Sequence, residues 1–592
     1  MNRSVIILIL FFNLIASALL AQEPGFRSIH QTEQEHWSQF GDHSDKWFDD
    51  FNGYISAAPH AKKDSLVLQY RIFGYHPYWS GSKWQSYQWN RLTDVCYFSY
   101  ETDPATGIPV TVHDWETIPM IDTALAHGVK VHLCITIFSG HSLFFQNPDA
   151  RQTLIEQSTA LVTARNGHGI HLDVEALPSS MSDEYTLFVT EFRNYLDVYA
   201  PSLELSMAAP AVNWGNKFDL PALKELTDFF MVMAYDYYWP GSSEAGPVGP
   251  LYAMTSYYDY SFSRTVNYYL NQGIDPEKII MGLPYYAYQW PVSSAWPPAS
   301  TTGNGTAYTW ANIHNNGSGN YSPENHFREP NSLGGYYAFN TGSWYHCFLD
   351  DSYTYRKKYQ LVRQYRLGGA GIWALGYDYG YDDLWDLIGS EMTTTTSVTA
   401  GDTLYDSGGA GWDYADNEDY TQFLISDSSE PVTLYFKEFG VESGYDSLWI
   451  YDGIDSTAPL LAALSGNQLP QPVTASGPAI RLRFHSDGAT TGPGWTIVVD
   501  SLTSSLIEQQ TENKLKLYPN PAKEFVTVFI DSDRKPNRTR LNIFSASGTL
   551  IDSYPAANGK ITLPLNHYKP GVYILTLSGG AKTAVQRLVV LP

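Results

Sequence analysis

Gly167-His168-Gly169-Ile170-His171-Leu172-Asp173-Val174-Glu175 alternates strictly when read as a β-strand. Ile170, Leu172 and Val174 face one way, and His171, Asp173 and Glu175 face the other. A strand inside a parallel sheet is normally apolar on both faces, so a row of titratable groups is costly there unless it faces a cavity where chemistry happens. Taken alone, the row is open to metal, paired-acid or nucleophilic chemistry. A metal set of His168, His171, Asp173 and Glu175 is disfavoured, because the strand spreads these groups too far for one ion unless other loops contribute.

Outward from this stretch the pattern repeats. Short apolar or β-branched runs recur at 71–75, 94–99, 129–136, 169–175, 203–209, 229–236, 278–285 and 369–375, giving eight candidate strands. Between them lie segments with helical spacing, such as 149–165 and 183–200. Strand and helix alternating eight times within residues 70–392 predict an α/β domain, a (β/α)8 TIM barrel. An open doubly wound sheet is the alternative. The turn after the first run is Gly74-Tyr75-His76-Pro77-Tyr78-Trp79, aromatic where a dinucleotide site is glycyl, which counts against nucleotide binding. The longest connection, between the seventh and eighth runs, carries Trp290, Trp296, Trp310, Tyr336, Tyr337 and Trp344. It either walls a cleft at the barrel's C-terminal rim or forms a structural subdomain.

The flanks are different. Arg3 followed by the apolar run Val5 to Leu20 has the layout of a secretory signal peptide, residues 1–21, with cleavage expected after Ala21 or Ala18. Residues 22–69 are polar with weak periodicity and read as a lead-in without a determined role. Thr393 to Gly401 reads as a linker. Residues 402–502 and 515–592 show short strands separated by turn residues and predict two small all-β sandwich domains, joined by a polar link at 503–514. No later segment approaches the ~20 apolar residues that span a bilayer. A net charge of −25 repels phosphate backbones and anionic lipid, so a neutral substrate is expected rather than nucleic acid. Aromatics at 15% suit stacking on sugar rings, although many fill cores. Three cysteines supply no disulfide framework, at most one pair.

The barrel residues resemble glycoside hydrolase family 18, the chitinases and their relatives. The family's fourth-strand pattern D-G-x-D-x-D-x-E aligns with residues 168–175; Asp173 and Glu175 match, and the first two acids are replaced by His168 and His171. Further matches are Gly74-Tyr75, Met231-Val232-Met233-Ala234-Tyr235-Asp236, Gly282-Leu283-Pro284-Tyr285-Tyr286 and Gly371-Ile372-Trp373-Ala374-Leu375-Gly376-Tyr377-Asp378. By this resemblance Glu175 is the general acid and Asp173 orients the substrate's acetamido group, whose carbonyl oxygen attacks the anomeric carbon with retention of configuration. Tyr235 and Asp236 contact the acetamido group, Trp373 forms the floor beneath the cleaved sugar, and Tyr75, Met233, Tyr286 and His171 belong to the substrate site. His171 stands where the family has an acid in a relay, and is expected to donate to Asp173. His168 is expected to be a solvated or capping side chain.

Residues 402–502 resemble a CUB domain through Tyr405-Asp406-Ser407-Gly408-Gly409, Gly444-Tyr445-Asp446-Ser447-Leu448-Trp449-Ile450-Tyr451-Asp452-Gly453 and Phe484-His485-Ser486-Asp487. Calcium-binding members use acids at positions matching Glu442, Asp446 and Asp487, an oxygen set suited to that ion; a solvated acidic edge is the other reading. Residues 515–592 resemble the C-terminal sorting domain of the type IX secretion system through Leu517-Tyr518-Pro519-Asn520-Pro521-Ala522 and Gly571-Val572-Tyr573-Ile574. Together these resemblances imply a secreted or cell-surface hydrolase of β-1,4-linked N-acetylglucosamine glycans, with no cofactor for catalysis and with the type IX machinery as a partner. The alternatives are a non-catalytic sugar-binding protein on the same barrel, a hydrolase of peptidoglycan or N-glycan cores, or an adhesin led by the CUB-like unit.

Overall fold

The computed structural model describes residues 26–54, 66–501 and, beyond them, 515–518, 520, 522–530, 540–545, 550–555, 559–569, 571–578 and 584–590. The signal peptide and the link at 503–514 lie outside the described residues.

The alternating stretch forms β4 (Gly169–Val174) of a closed parallel barrel. The others are β1 (Arg71–Pro77), β2 (Asp94–Thr102), β3 (Lys130–Ile137), β5 (Glu204–Pro210), β6 (Phe229–Met233), β7 (Ile279–Pro284) and β8 (Gly369–Trp373). Each strand pairs with the next, and β8 pairs with β1 to close the ring. In β4 the register sets Thr136 beside Asp173 on one side and Ser206 beside His171 on the other. Ile170 and Leu172 are fully buried, as expected of the face turned to the surrounding helices.

Helices precede and fill the connections. α1 (Ile29–Ser38) and α2 (Asp45–Asn52) lie in the segment read as a lead-in. α3 (Pro119–Ala126), α4 (Pro148–Ala164), α5 (Ser182–Tyr199), α6 (Leu220–Leu226), α7 (Phe262–Asn271), α8 (Ser352–Gln364) and α9 (Asp383–Glu391) follow the strands. The long β7–β8 connection folds into a five-stranded antiparallel sheet in which Trp290 and Tyr288 are buried, so several of its aromatics fill a core of their own.

Around the N-terminal ends of the strands, charges pair. Arg71 Nε lies 3.2 Å from Asp94, Arg71 Nη2 lies 2.9 Å from Glu204, Lys130 also binds Glu204, and His132 Nε2 lies 2.8 Å from Asp94 Oδ1. All three cysteines are buried and free, so the pair left open by the sequence is not formed.

Two four-stranded sheets built from residues 403–501 form the first β-sandwich, with Leu448, Ile450, Leu482, Phe484 and Trp495 inside. It shares a compact unit with the barrel. Arg264 and Asn267 of α7 both bond Glu418 Oε1 at 3.1 Å, and Gln360 of α8 donates to Ser397 O at 3.0 Å. The stretch read as a linker is therefore held at Ser397 and Val398, both buried. Residues 503–592 make a separate unit, a three-stranded and a four-stranded antiparallel sheet around Val526, Val528, Ile543, Leu575 and Leu588. No described helix is long and apolar enough to cross a membrane.

Candidate active site

The site lies at the C-terminal ends of the strands. Glu175 follows the last residue of β4, with its N–H on Ile137 O and its carbonyl accepting from His141 Nε2 at 2.8 Å. These bonds fix the backbone on both sides of the acid. Ligating atoms of Asp173 and Glu175 lie within 4.8 Å of each other, close enough for one sugar to meet both. Asp173 is fully buried, and its Oδ1 has no hydrogen-bond partner among the described residues. Burial raises its carboxyl well above the ordinary value. Burial and the nearby Asp173 also push Glu175 up to about 8, so it carries its proton at neutral pH.

Tyr235 and Asp236 follow the end of β6. Asp236 sits at φ 57°, a left-handed conformation that Asp tolerates, and receives the hydroxyl of Tyr286. Trp373 ends β8 with 0% exposure, and Tyr75 meets it edge-on at 5.2 Å. Asp173, Glu175, Tyr235, Asp236, Tyr286, Trp373 and Tyr75 thus gather at one end of the barrel. Met233, partly buried, lines an adjoining cavity of about 510 Å³ together with Glu175, Trp214, Tyr238 and Trp239.

His171 departs from expectation. Its Nε2 is 2.6 Å from Tyr75 OH and its Nδ1 2.8 Å from Ser206 Oγ, and it makes no bond to Asp173. The reason is geometric: residues i and i+2 on a strand stand about 6.5–7 Å apart, while Ser206 is directly across the ladder. Burial holds the ring well below its ordinary pKa, so it is a neutral prop for Tyr75, not a charged partner for Asp173. His168 accepts from Val131 N–H at 3.3 Å and takes no part in the site.

Sequence reasoning missed the residues that fill the mouth. His30 of α1 is fully buried and stacks on Trp373, with centroids 3.6 Å apart and planes 25° from parallel. Its Nδ1 lies 2.7 Å from Asp173 Oδ2 and its Nε2 2.8 Å from Tyr235 OH. Burial lowers His30 to about 4, outweighing the opposing pull of Glu175 and Asp236, so the ring is neutral. With Asp173 accepting, Nδ1 carries the proton and Nε2 accepts from Tyr235. Ser28 Oγ donates to Glu175 Oε1 at 2.7 Å while accepting the N–H of Gln31 as the helix cap. Ile29 N–H donates to Asp236 Oδ2 at 2.9 Å. Glu33 Oε2 accepts from Trp373 Nε1 at 3.1 Å and from Tyr377 OH at 2.7 Å, and burial raises it to about 7. The only local signal was Ser28-Ile29-His30-Gln31, which marks a helix start and nothing about its target. His30, Asp173 and Glu175 come close enough to share a cation, but the 2.7 Å contact between His30 and Asp173 is that of a hydrogen bond.

In the first sandwich, Glu442, Asp446 and Asp487 bring ligating oxygens within 4.8 Å of one another. Asp446 is buried; it accepts the N–H of Asp487 at 2.9 Å and the hydroxyl of Tyr414. Glu442 is raised by desolvation and by the charges of Asp487 and Asp446, the crowding that a divalent cation relieves, and the all-oxygen donor set suits calcium.

The model of glycosyl hydrolases family 18 matches residues 71–378, just over half the chain. The protein belongs to that family. The CUB domain model matches residues 398–498, and that of the secretion system C-terminal sorting domain matches 516–591. Among curated relatives, the putative sporulation-specific glycosylase YdhD of Bacillus subtilis (strain 168) is 28% identical over 235 residues, 39% of this chain and 52% of that protein. The di-N-acetylchitobiase of Rattus norvegicus is 24% identical over 330 residues, 51% of this chain and 81% of that protein. The chain thus spans only about half the length of the first of these relatives. The class V chitinase from Nicotiana tobaccum aligns with a TM-score of 0.49 and 21% identity, covering 56% of this chain and 100% of that one.

Proposed function

We propose that the barrel is a retaining glycoside hydrolase that cleaves β-1,4-linked N-acetylglucosamine glycans, chitin or a related polymer. The observation that carries this reading is the buried pair Asp173 and Glu175, gathered with Tyr235 and Trp373 around the His30 ring, two acids shielded from water and raised toward their protonated forms.

Glu175 gives its proton to the glycosidic oxygen as the bond to the anomeric carbon breaks. The acetamido carbonyl oxygen of the same sugar forms the new bond to that carbon from the opposite face. Asp173 accepts from the acetamido N–H, and Tyr235 donates to its oxygen, holding the group in line. Glu175, now a carboxylate, takes a proton from water as that water opens the cyclic intermediate, so two displacements return the original configuration. Trp373 offers an apolar face to the sugar ring.

The relatives named above, a chitobiase among them, support the substrate class. The C-terminal domain supports export through type IX machinery to the medium or the cell surface, and calcium held by Glu442, Asp446 and Asp487 is part of the same proposal. The test is to incubate the chain and its Glu175→Gln variant with chitooligosaccharides and with muropeptides and to identify products by mass. Cleavage of the chitooligosaccharides by the parent alone is expected. Cleavage of muropeptides only would move the substrate to peptidoglycan, and sugar binding without cleavage by either chain would leave a lectin.

A further inference from the structure

Every polar group assigned to the reaction is already bonded to α1 or to its cap residue Ser28. His30 stacks on Trp373 and bridges Asp173 and Tyr235, Ser28 holds Glu175, Ile29 N–H holds Asp236, and Glu33 takes the indole N–H of Trp373. A flat ring on the Trp373 face, with one polar atom on Asp173 and another on Tyr235, has the bonding pattern that the mechanism above requires of the acetamido sugar. The positive end of the helix dipole also faces the acids. A sugar cannot occupy the same space.

We infer that residues 26–38 are an internal pseudo-substrate and that the chain turns over only in the minor fraction of molecules from which this segment has left the barrel mouth. The inference rests on the glycan reading for the identity of the displaced ligand. The segment is anchored a second time away from the acids. Phe48 of α2 is buried, Asp49 accepts from Ser82 N–H at 2.9 Å and from Ser82 Oγ at 2.5 Å, and Asp45 accepts from Trp84 Nε1 at 2.9 Å. This anchor keeps the plug at high effective concentration beside its site. It also supplies a handle for release that does not touch the reacting groups. The 510 Å³ cavity beyond Glu175 stays open, so the plug closes the side with the Trp373 floor and leaves the other side accessible to one end of a glycan.

The full chain is compared with its Ser28→Ala/His30→Ala/Glu33→Gln variant and with Asp49→Ala, reading kcat and KM on chitotetraose. A plug that is closed most of the time lowers apparent affinity by the open fraction, so the triple variant is expected to gain at least about tenfold in kcat/KM, chiefly through KM. Asp49→Ala shifts the same way by less. A synthetic peptide of residues 26–38, supplied at about the millimolar effective concentration of a tethered segment, raises the KM of the triple variant and leaves kcat unchanged. The same peptide with His30→Ala does neither. A folded triple variant that is no faster than the parent, or slower, overturns the inference, as does a peptide that fails to compete. If no form cleaves, the comparison is read as chitotetraose affinity in the Glu175→Gln background. Absence of sugar binding by the opened chain contradicts the glycan reading alone, and binding of labelled peptide with and without His30 then decides the plug.

Discussion

The barrel holds two acidic clusters, one at each end, and they have opposite charge logic. At the N-terminal ends, Asp94 and Glu204 are met by Arg71, Lys130 and His132. Burial alone would raise Asp94, but the bond and charge of His132 and the charge of Arg71 outweigh it and hold the carboxyl below its ordinary value. Glu204 is lowered in the same way, with Arg71 the largest counterweight to burial. At the C-terminal ends, Asp173, Glu175 and Asp236 meet only neutral donors, and all three are raised. The same residue types are therefore a fixed ionic clamp at one end and a proton store at the other. Burial is common to both, and the partner decides which results.

The largest effect expected from breaking this contrast is at Glu175. Glu175→Gln removes the transferable proton and should lower kcat by about a thousandfold, within the usual range for a general acid, while chitotetraose affinity measured by calorimetry is kept. At the other end, Arg71→Met leaves Asp94 and Glu204 short of a cation. It should cost about 3 kcal/mol, the lower end for a broken buried pair, read as a fall in the barrel's unfolding temperature, with turnover per folded molecule unchanged.

The pH dependence of stability sharpens the comparison further. Glu175 rises from an ordinary 4.5 to about 8 on folding, so between those values the folded chain binds the extra proton and its stability falls as pH rises. Glu175→Gln removes that fall. The variant's advantage in unfolding temperature should grow from pH 5 to pH 8 and then level. Asp94 behaves inversely: its lowered pKa contributes stability above the unfolded value that is lost as pH falls through the folded one. Asp94→Asn should therefore be most damaging at neutral pH and nearly silent in strong acid. The smallest effect concerns the sandwich. Calcium at tenfold its dissociation constant should stabilise the CUB unit by about 1.4 kcal/mol, and Asp446→Asn should abolish that shift in differential scanning fluorimetry.

The eight strands were legible because each is a short run with a clear period, and Asp173 and Glu175 because an ionisable face on a buried strand has few structural uses. Tyr235, Asp236 and Trp373 were legible through motifs at strand ends. His171 was placed on the right face but not with the right partner, since period two says which way a side chain points and not what lies across the barrel. The plug was not legible at all. Its bonds to the site join residues 143 to 344 positions apart, and a polar stretch with weak periodicity contains nothing that names its target. The segment at 393–401 reads as a linker by composition, but Gln360 and the backbone of Phe423 bind Ser397 and hold it.

In the proposed reaction Asp173 and Glu175 work on a substrate that supplies its own nucleophile. Proton NMR of the first product released from chitotetraose by the Ser28→Ala/His30→Ala/Glu33→Gln chain tests it most directly. A newly formed β-anomer, before mutarotation, is expected, and no product from a cello-oligosaccharide that lacks the acetamido group. Initial release of the α-anomer, or equal cleavage of the cello-oligosaccharide, would contradict it.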